Sequence, residues 1–260
     1  MKNIRSKNLA SHPFMKAVLE DTKPTLNKAV YNLKKASQKG KIRTEFQEVL
    51  PQNQYYGYEV CKCAHAILEC IYQLEDIRKF IKRFPSPRTY EKVGISQYRW
   101  IEYHYANFVI TILTLNDCAL ILVNATFQLG NPEKLCTTDM IHKNKWVKKT
   151  PVIADLKSLQ KIVERHRTNR NNYVHRAKTP ELYKVFESDD IDYLKLFSFV
   201  NLHSEPIVDK KILESAFKGE VAKIDKRLNK EISEVSNSIW KFFDSLLPVY
   251  HKYITSLRNI

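Results

Sequence analysis

The sequence predicts an all-α protein, an up-and-down bundle of long helices with an extra helical segment at its amino terminus. Apolar residues recur three and four positions apart through each long segment, the period of a helix that buries one face. Only five glycines occur in 260 residues, too few for a sheet-rich or loop-rich chain. The length suffices for one large core, and no internal repeat or low-complexity linker divides it.

The first fifty residues hold two amphipathic pieces, Phe14 to Glu20 and Leu26 to Ala36, expected to pack on the bundle or to reach towards a partner. Residues 1–53 are therefore read as an N-terminal helical extension and 54–260 as the bundle. From Tyr58 to Phe84, the positions Val60, Cys63, Ala64, Ile67, Cys70, Ile71, Leu74, Ile77 and Ile81 form one face of a long helix, which Pro85-Ser86-Pro87 should end. A second long helix is expected from about Ser96 to Leu129, stopped by Gly130-Asn131-Pro132. Its nearly continuous apolar run from Phe108 to Phe127 is long enough to invite a membrane reading. Asn107, Thr111, Thr114, Asn116, Asp117, Asn124 and Gln128 interrupt that stretch, and an aspartate at mid-bilayer costs about 2.5 to 3.5 kcal/mol. The helix is assigned to the centre of a soluble bundle, with Asn116-Asp117 in a buried polar network.

A basic connector, His142-Lys143-Asn144-Lys145-Trp146-Val147-Lys148-Lys149, leads to a third helix carrying Val152, Leu156, Leu159, Ile162 and Val163 on one side. That helix should fray or kink among Asn169, Asn171 and Asn172, which are weak helix formers, and stop before Thr179-Pro180. After the acidic stretch Glu187-Ser188-Asp189-Asp190, Ile191 to Leu202 reads as a shorter helix. Lys211 to Leu246 reads as a long final one, continuing with a kink through Pro248 to Leu257.

Forty-three Lys and Arg against 28 Asp and Glu give a net charge of +15, which favours an acidic partner such as nucleic acid. The amino terminus, Met1 to Lys7, lacks the apolar core of a secretory signal, so a cytoplasmic location is expected. Five cysteines, an odd number in a long chain, are expected to be reduced thiols. Cys61-x-Cys63-x-His65 is not a metal site on this reading, because positions two apart on a helix point away from each other and no second ligand pair follows.

The segment most informative about function is Arg170-Asn171-Asn172-Tyr173-Val174-His175. Arginine holds a phosphate through its planar fork of donors and histidine moves a proton near neutral pH, a pair suited to phosphodiester cleavage without metal. RNA is the natural substrate, since it carries its own nucleophile. A second segment, Arg99-Trp100-Ile101-Glu102-Tyr103-His104, has the same spacing. Asn171 after Arg170 is polar where Trp100 after Arg99 is a packing residue, and the later copy lies among Lys157, Lys161, Arg165, Arg167, Arg176 and Lys178. The later copy is therefore preferred. Residues five apart on an ideal helix point about 140° from each other, so distortion at a helix end is expected to let Arg170 and His175 meet.

Arginine, a polar residue, three more residues and histidine resemble the R-x4-6-H motif of HEPN domains. That family consists of small all-helical bundles, many of them metal-independent ribonucleases of toxin-antitoxin and antiviral systems. The resemblance implies an endoribonuclease with Arg170, Asn171 and His175 as its catalytic residues, in which the ribose 2′ hydroxyl attacks the adjacent phosphate. His175 is then general base on that hydroxyl or general acid on the leaving oxygen, and both roles stay open. It also implies no cofactor and no metal, a homodimer with a composite cleft, and control by an antitoxin or another regulatory protein. The expected RNA-binding residues are Arg165, Arg167, Arg176 and Lys178 around the motif, with Lys145 and Trp146 offering charge and stacking from the connector. The alternative is a non-catalytic helical module that binds RNA or protein. The aromatics Tyr98, Trp100, Tyr103, Tyr105 and Phe108 are assigned to core packing.

Overall fold

The structure is a computed structural model that describes residues 8–38, 50–84, 92–176, 182, 186, 189–203 and 207–259. Met1 to Lys7, Pro85-Ser86-Pro87, Lys178, Thr179-Pro180 and Glu187-Ser188 lie outside these residues. Among the described residues every regular element is helical. In chain order they are α1 (Pro13–Gln38), α2 (Gln52–Lys82), α3 (Gln97–Thr126), α4 (Thr138–Lys143), α5 (Val152–Val163), α6 (Arg167–Arg176), α7 (Asp189–His203) and α8 (Lys210–Arg258). Single 3-10 turns occupy Leu9–Ser11, Glu133–Leu135, Val147–Lys149 and Glu164–His166.

The chain forms two compact units, one of residues 70–114 and 162–235, the other of residues 6–69, 115–161 and 236–260. The first has its core where the periodic positions of α2, α3 and α8 place it: Leu74, Phe108, Ile112, Ile224, Leu228 and Ile232 are all buried. A charged pin sits at its edge. Arg78 on α2 donates to Asp225 (2.7 Å) and to Asn229 (2.7 Å) on α8, and Lys82 lies 3.4 Å from the same aspartate. Burial alone would raise the Asp225 carboxyl, but the hydrogen bond and charge of Arg78 hold it below its ordinary value.

In the second unit the N-terminal segment is one continuous helix, not the two pieces expected from the sequence. α1 runs through Pro24, and the buried residues Phe14, Met15 and Val18 anchor its first turns. His12, fully buried, fixes its start: Nδ1 accepts from the Phe14 amide (3.0 Å), which leaves Nε2 to donate to Asp244 of α8 (3.0 Å). Further along, Asp21 accepts from the Tyr250 hydroxyl (2.8 Å) and from Arg258. α8 likewise continues through Pro248 to Arg258.

α3 is long and apolar enough to cross a membrane by length and composition, yet 61% of its most apolar window is buried within the protein, as in the core helix of a soluble protein. Asn116 is buried but Asp117 is exposed, so the acid expected in a buried network faces solvent instead. α3 ends three residues before Leu129, the end expected ahead of Gly130. Gln128 takes a left-handed conformation (φ 51°), while the Leu129 amide reaches back to Asn124 O (3.0 Å) and the Gln128 amide to Ala125 O (3.1 Å). This double closure is normally built on glycine. A non-glycine residue there carries about 1–2 kcal/mol of steric cost, offset in part by the entropy glycine loses on folding. Gln128→Gly should therefore stabilise the protein by roughly 0.5–1 kcal/mol, read from the midpoint of urea denaturation.

Candidate active site

The motif is delivered by α5 and α6. α5 buries Val152, Leu156, Leu159 and Val163 at the expected spacing. The Glu164–His166 turn then tightens the chain without breaking its course, since the flanking Val163 (φ −75°, ψ −30°) and Arg167 (φ −58°, ψ −44°) both stay in the right-handed helical region. α6 follows and carries Arg170, Asn171 and His175 in one uninterrupted helix. The irregular turn thus lies ahead of the motif and not within it. The three asparagines stand on a helix of which no residue is buried.

Arg170 and His175 nevertheless meet. Nη1 of Arg170 lies 3.4 Å from Nε2 of His175 and 3.4 Å from Oδ1 of Asn171. The length of the arginine side chain spans the angular gap that helix geometry leaves between positions five apart. At this distance the hydrogen bond is weak, but it has a definite chemical requirement. A guanidinium only donates, so the imidazole accepts from it only through a lone pair on Nε2. A protonated His175 has no lone pair to offer and would repel the arginine.

The surrounding cations are differently engaged. Arg165 donates to Glu234 (2.8 Å) and Arg167 to Glu164, whereas Arg176 reaches Asn172 (3.4 Å). In the other unit, the expected connector begins in the last two residues of α4 and includes the Val147–Lys149 turn. Trp146 is 58% exposed there, with the Lys145 ammonium 5.1 Å from the centre of its ring, a pair free to face a polyanion.

Beneath α6 lies a cluster that the sequence reading missed. His166, buried, places Nε2 3.1 Å from Oε2 of Glu231 on α8, and Arg227 lies 3.4 Å from the other carboxylate oxygen. Burial by itself would raise the Glu231 carboxyl, but the adjoining imidazole and guanidinium hold it below its ordinary value. Burial strongly raises the proton affinity of the Tyr105 hydroxyl, whose ring stands edge-on to Phe186 (5.1 Å). A signal was present: Ile224, Leu228, Glu231 and Val235 follow the four-three-four rhythm of the α8 core stripe, so a carboxylate occupies an apolar register position.

A family model described as Cthe2314-like HEPN matches residues 60–196, more than half of the chain and inclusive of the motif. The chain belongs to the HEPN family. No curated protein and no solved structure matches it.

The matched span of this HEPN protein also contains Arg99 and His104, and the two copies of the spacing meet different environments. His104 is buried, its ring 4.3 Å from that of Trp100, 5.3 Å from Phe80 and 5.3 Å from Tyr103, while Arg99 is exposed. Tyr98, Tyr105 and Phe108 are buried and Trp100 half-buried, but Tyr103 is exposed. All five cysteines are free. Burial pushes the Cys63 thiol up to about 11, while His65 is exposed beside Glu69 (3.4 Å), so these side chains do not converge on a common point.

Burial lowers the proton affinity of His104 in the folded chain. Below the ordinary histidine value of about 6.5 the unfolded state takes up this proton first, so the stability concerned is present above that pH and is lost as pH falls. His104→Phe should accordingly flatten the decline in melting temperature between about pH 7 and about pH 5. A scan of melting temperature against pH for both proteins checks this.

Proposed function

We propose that this HEPN protein is a metal-independent endoribonuclease whose catalytic groups are Arg170, Asn171 and His175. The observation that carries the reading is the Arg170–His175 contact on an exposed helix inside the family-matched span. The ribose 2′ hydroxyl attacks the adjacent phosphorus, the bond to the 5′ oxygen breaks, and the products are a 2′,3′-cyclic phosphate and a 5′ hydroxyl. An arriving phosphate competes with His175 for the Arg170 guanidinium. When the arginine turns to the non-bridging oxygens, the lone pair on Nε2 is released at the moment a base is needed. This favours His175 as general base in the first copy of the site that RNA meets. Asn171, whose carbonyl accepts from Arg170, orients the guanidinium.

A proton must also reach the leaving oxygen, and one histidine does not serve both roles in a single step. A second copy of the chain supplies the second imidazole, so the working form is proposed to be a homodimer with a composite site. Trp146, Lys145 and Arg176 extend the RNA contact, while Arg165 and Arg167 contribute only by exchanging their carboxylate partners for phosphate. The setting is cytoplasmic, in a toxin-antitoxin or antiviral system, with an antitoxin or regulatory protein restraining the nuclease.

Purified protein should cut single-stranded RNA in excess EDTA. His175→Ala should reduce the rate by about a hundredfold or more, the usual worth of a positioned acid or base, with an unchanged melting temperature because the side chain is exposed. Intact RNA after incubation with wild-type protein under these conditions would turn the assignment towards a binding module.

The dimer is tested separately. Light scattering across protein concentration should give twice the mass of the chain, and mixing Arg170→Ala with His175→Ala protein should restore part of the activity that each lacks. A fully active monomer would overturn the composite site.

A further inference from the structure

Aromatic side chains open to water are ordinary when scattered, but a contiguous set marks a surface that meets a ligand or partner. Where α2 ends beside the start of α3, three rings gather around the His104 imidazole: Trp100 at 4.3 Å, Phe80 at 5.3 Å and Tyr103 at 5.3 Å. Helix geometry sets this up, because Tyr103 and His104 stand three and four residues beyond Trp100 and share its face. Phe80 and Tyr103 are 50% and 59% exposed. Neither belongs to the core.

The rings are held in place. Nε1 of Trp100 donates to the Phe80 carbonyl (2.9 Å) and so ties α3 to α2, while the Phe84 ring stands edge-on to Trp100 (6.0 Å). The Phe80 ring lies 28° from the plane of His104, so the imidazole covers one of its faces and leaves the other open. Rings fixed in advance cost a ligand little ordering entropy.

Positive charge borders them. Lys79, Lys82, Arg83 and Arg99 are all exposed, whereas Glu102 is the one acid in residues 79–84 and 97–104. Lys79 and Lys82 already face Asp76 (2.7 Å) and Asp225 (3.4 Å), so the two arginines supply the stronger attraction. We propose that Phe80 and Tyr103, on their support of His104 and Trp100, form a platform that stacks unpaired bases of single-stranded RNA while Arg83 and Arg99 hold the adjoining phosphates. A nucleotide joins a π face to a negative charge and so meets both halves of this surface at once. A second copy of the chain would instead set the same cations against each other, with a net charge of +15 on either side.

The platform takes its ligand class from the ribonuclease reading but does not require cleavage, and the test keeps the two apart. A fluorescein-labelled 2′-O-methyl oligoadenylate has no free 2′ hydroxyl to attack, so its binding to the full chain is read by anisotropy without turnover. An abasic strand of the same length and charge is the comparison. Wild type should bind the oligoadenylate about tenfold or more tightly than the abasic strand. Tyr103→Leu and Phe80→Leu should each weaken oligoadenylate binding roughly fivefold or more, the worth of one stacked base, with abasic binding within about twofold of wild type. Tyr103→Trp should keep wild-type affinity. Arg99→Gln should weaken both strands and lower the slope of affinity against salt by about one, a slope that the leucine variants leave unchanged.

Tyr103→Leu decides the matter if Phe80→Leu does not fold, since the tyrosine is the more exposed. Equal affinity of wild type for the two strands would overturn the platform, as would leucine variants that bind oligoadenylate like wild type or lose both strands alike. A dimer that Tyr103→Leu converts to monomer, with oligoadenylate affinity unchanged, would give the surface to a second copy and overturn it too. The expected binding pattern in a protein that cuts no unmodified RNA would defeat the ribonuclease reading alone.

Discussion

Burying a carboxylate is unfavourable unless opposite charge meets it, and the arrangement around α6 depends on how Glu231 satisfies that condition. One oxygen faces Arg227 from a neighbouring turn of α8 and the other faces His166 from the foot of α6. Had the arginine alone supplied the partner, the carboxylate would belong to α8 and nothing would tie it to the motif helix. Sharing it with His166 makes the electrostatic requirement of one helix into a constraint on another. The same device recurs at Asp225, which joins α2 to α8 through Arg78. In each case the acid sits on α8 and its partner lies more than sixty residues earlier in the chain.

The long helices were legible because burial imposes a period, and α2, α3 and α8 follow theirs closely. Local punctuation was less so. Proline normally ends a helix by removing a donor and crowding the preceding turn, but α1 runs on through Pro24, as α8 was expected to do, and does, through Pro248. The packing of Phe14, Val18, Phe243 and Tyr250 lies in tertiary contacts that no window of sequence contains. α3 shows the converse, where glycine at 130 marked the region of the stop but a glutamine made the turn. α4 escaped notice because a six-residue helix has too few positions for a period to emerge.

The site divided in the same way. Six residues spelled the arginine and histidine, and their polar neighbour separated them from the second copy, whose histidine the structure surrounds with Phe80, Trp100 and Tyr103. The meeting of Arg170 with His175 was expected from helix distortion, whereas side-chain reach produces it on a regular helix. The pairing of His166 with Glu231, 65 positions away, had no local signature beyond an acid in a core register. Charge counting pointed to a polyanion but could not show that Arg165 and Arg167 already have carboxylate partners.

The hydrogen bond from Arg170 to His175 makes the guanidinium and the imidazole report on each other. Any small oxyanion that occupies the arginine uncovers Nε2. Phosphate or sulfate in the medium would therefore act on the histidine without touching it, by drawing away the guanidinium that caps its ring nitrogen.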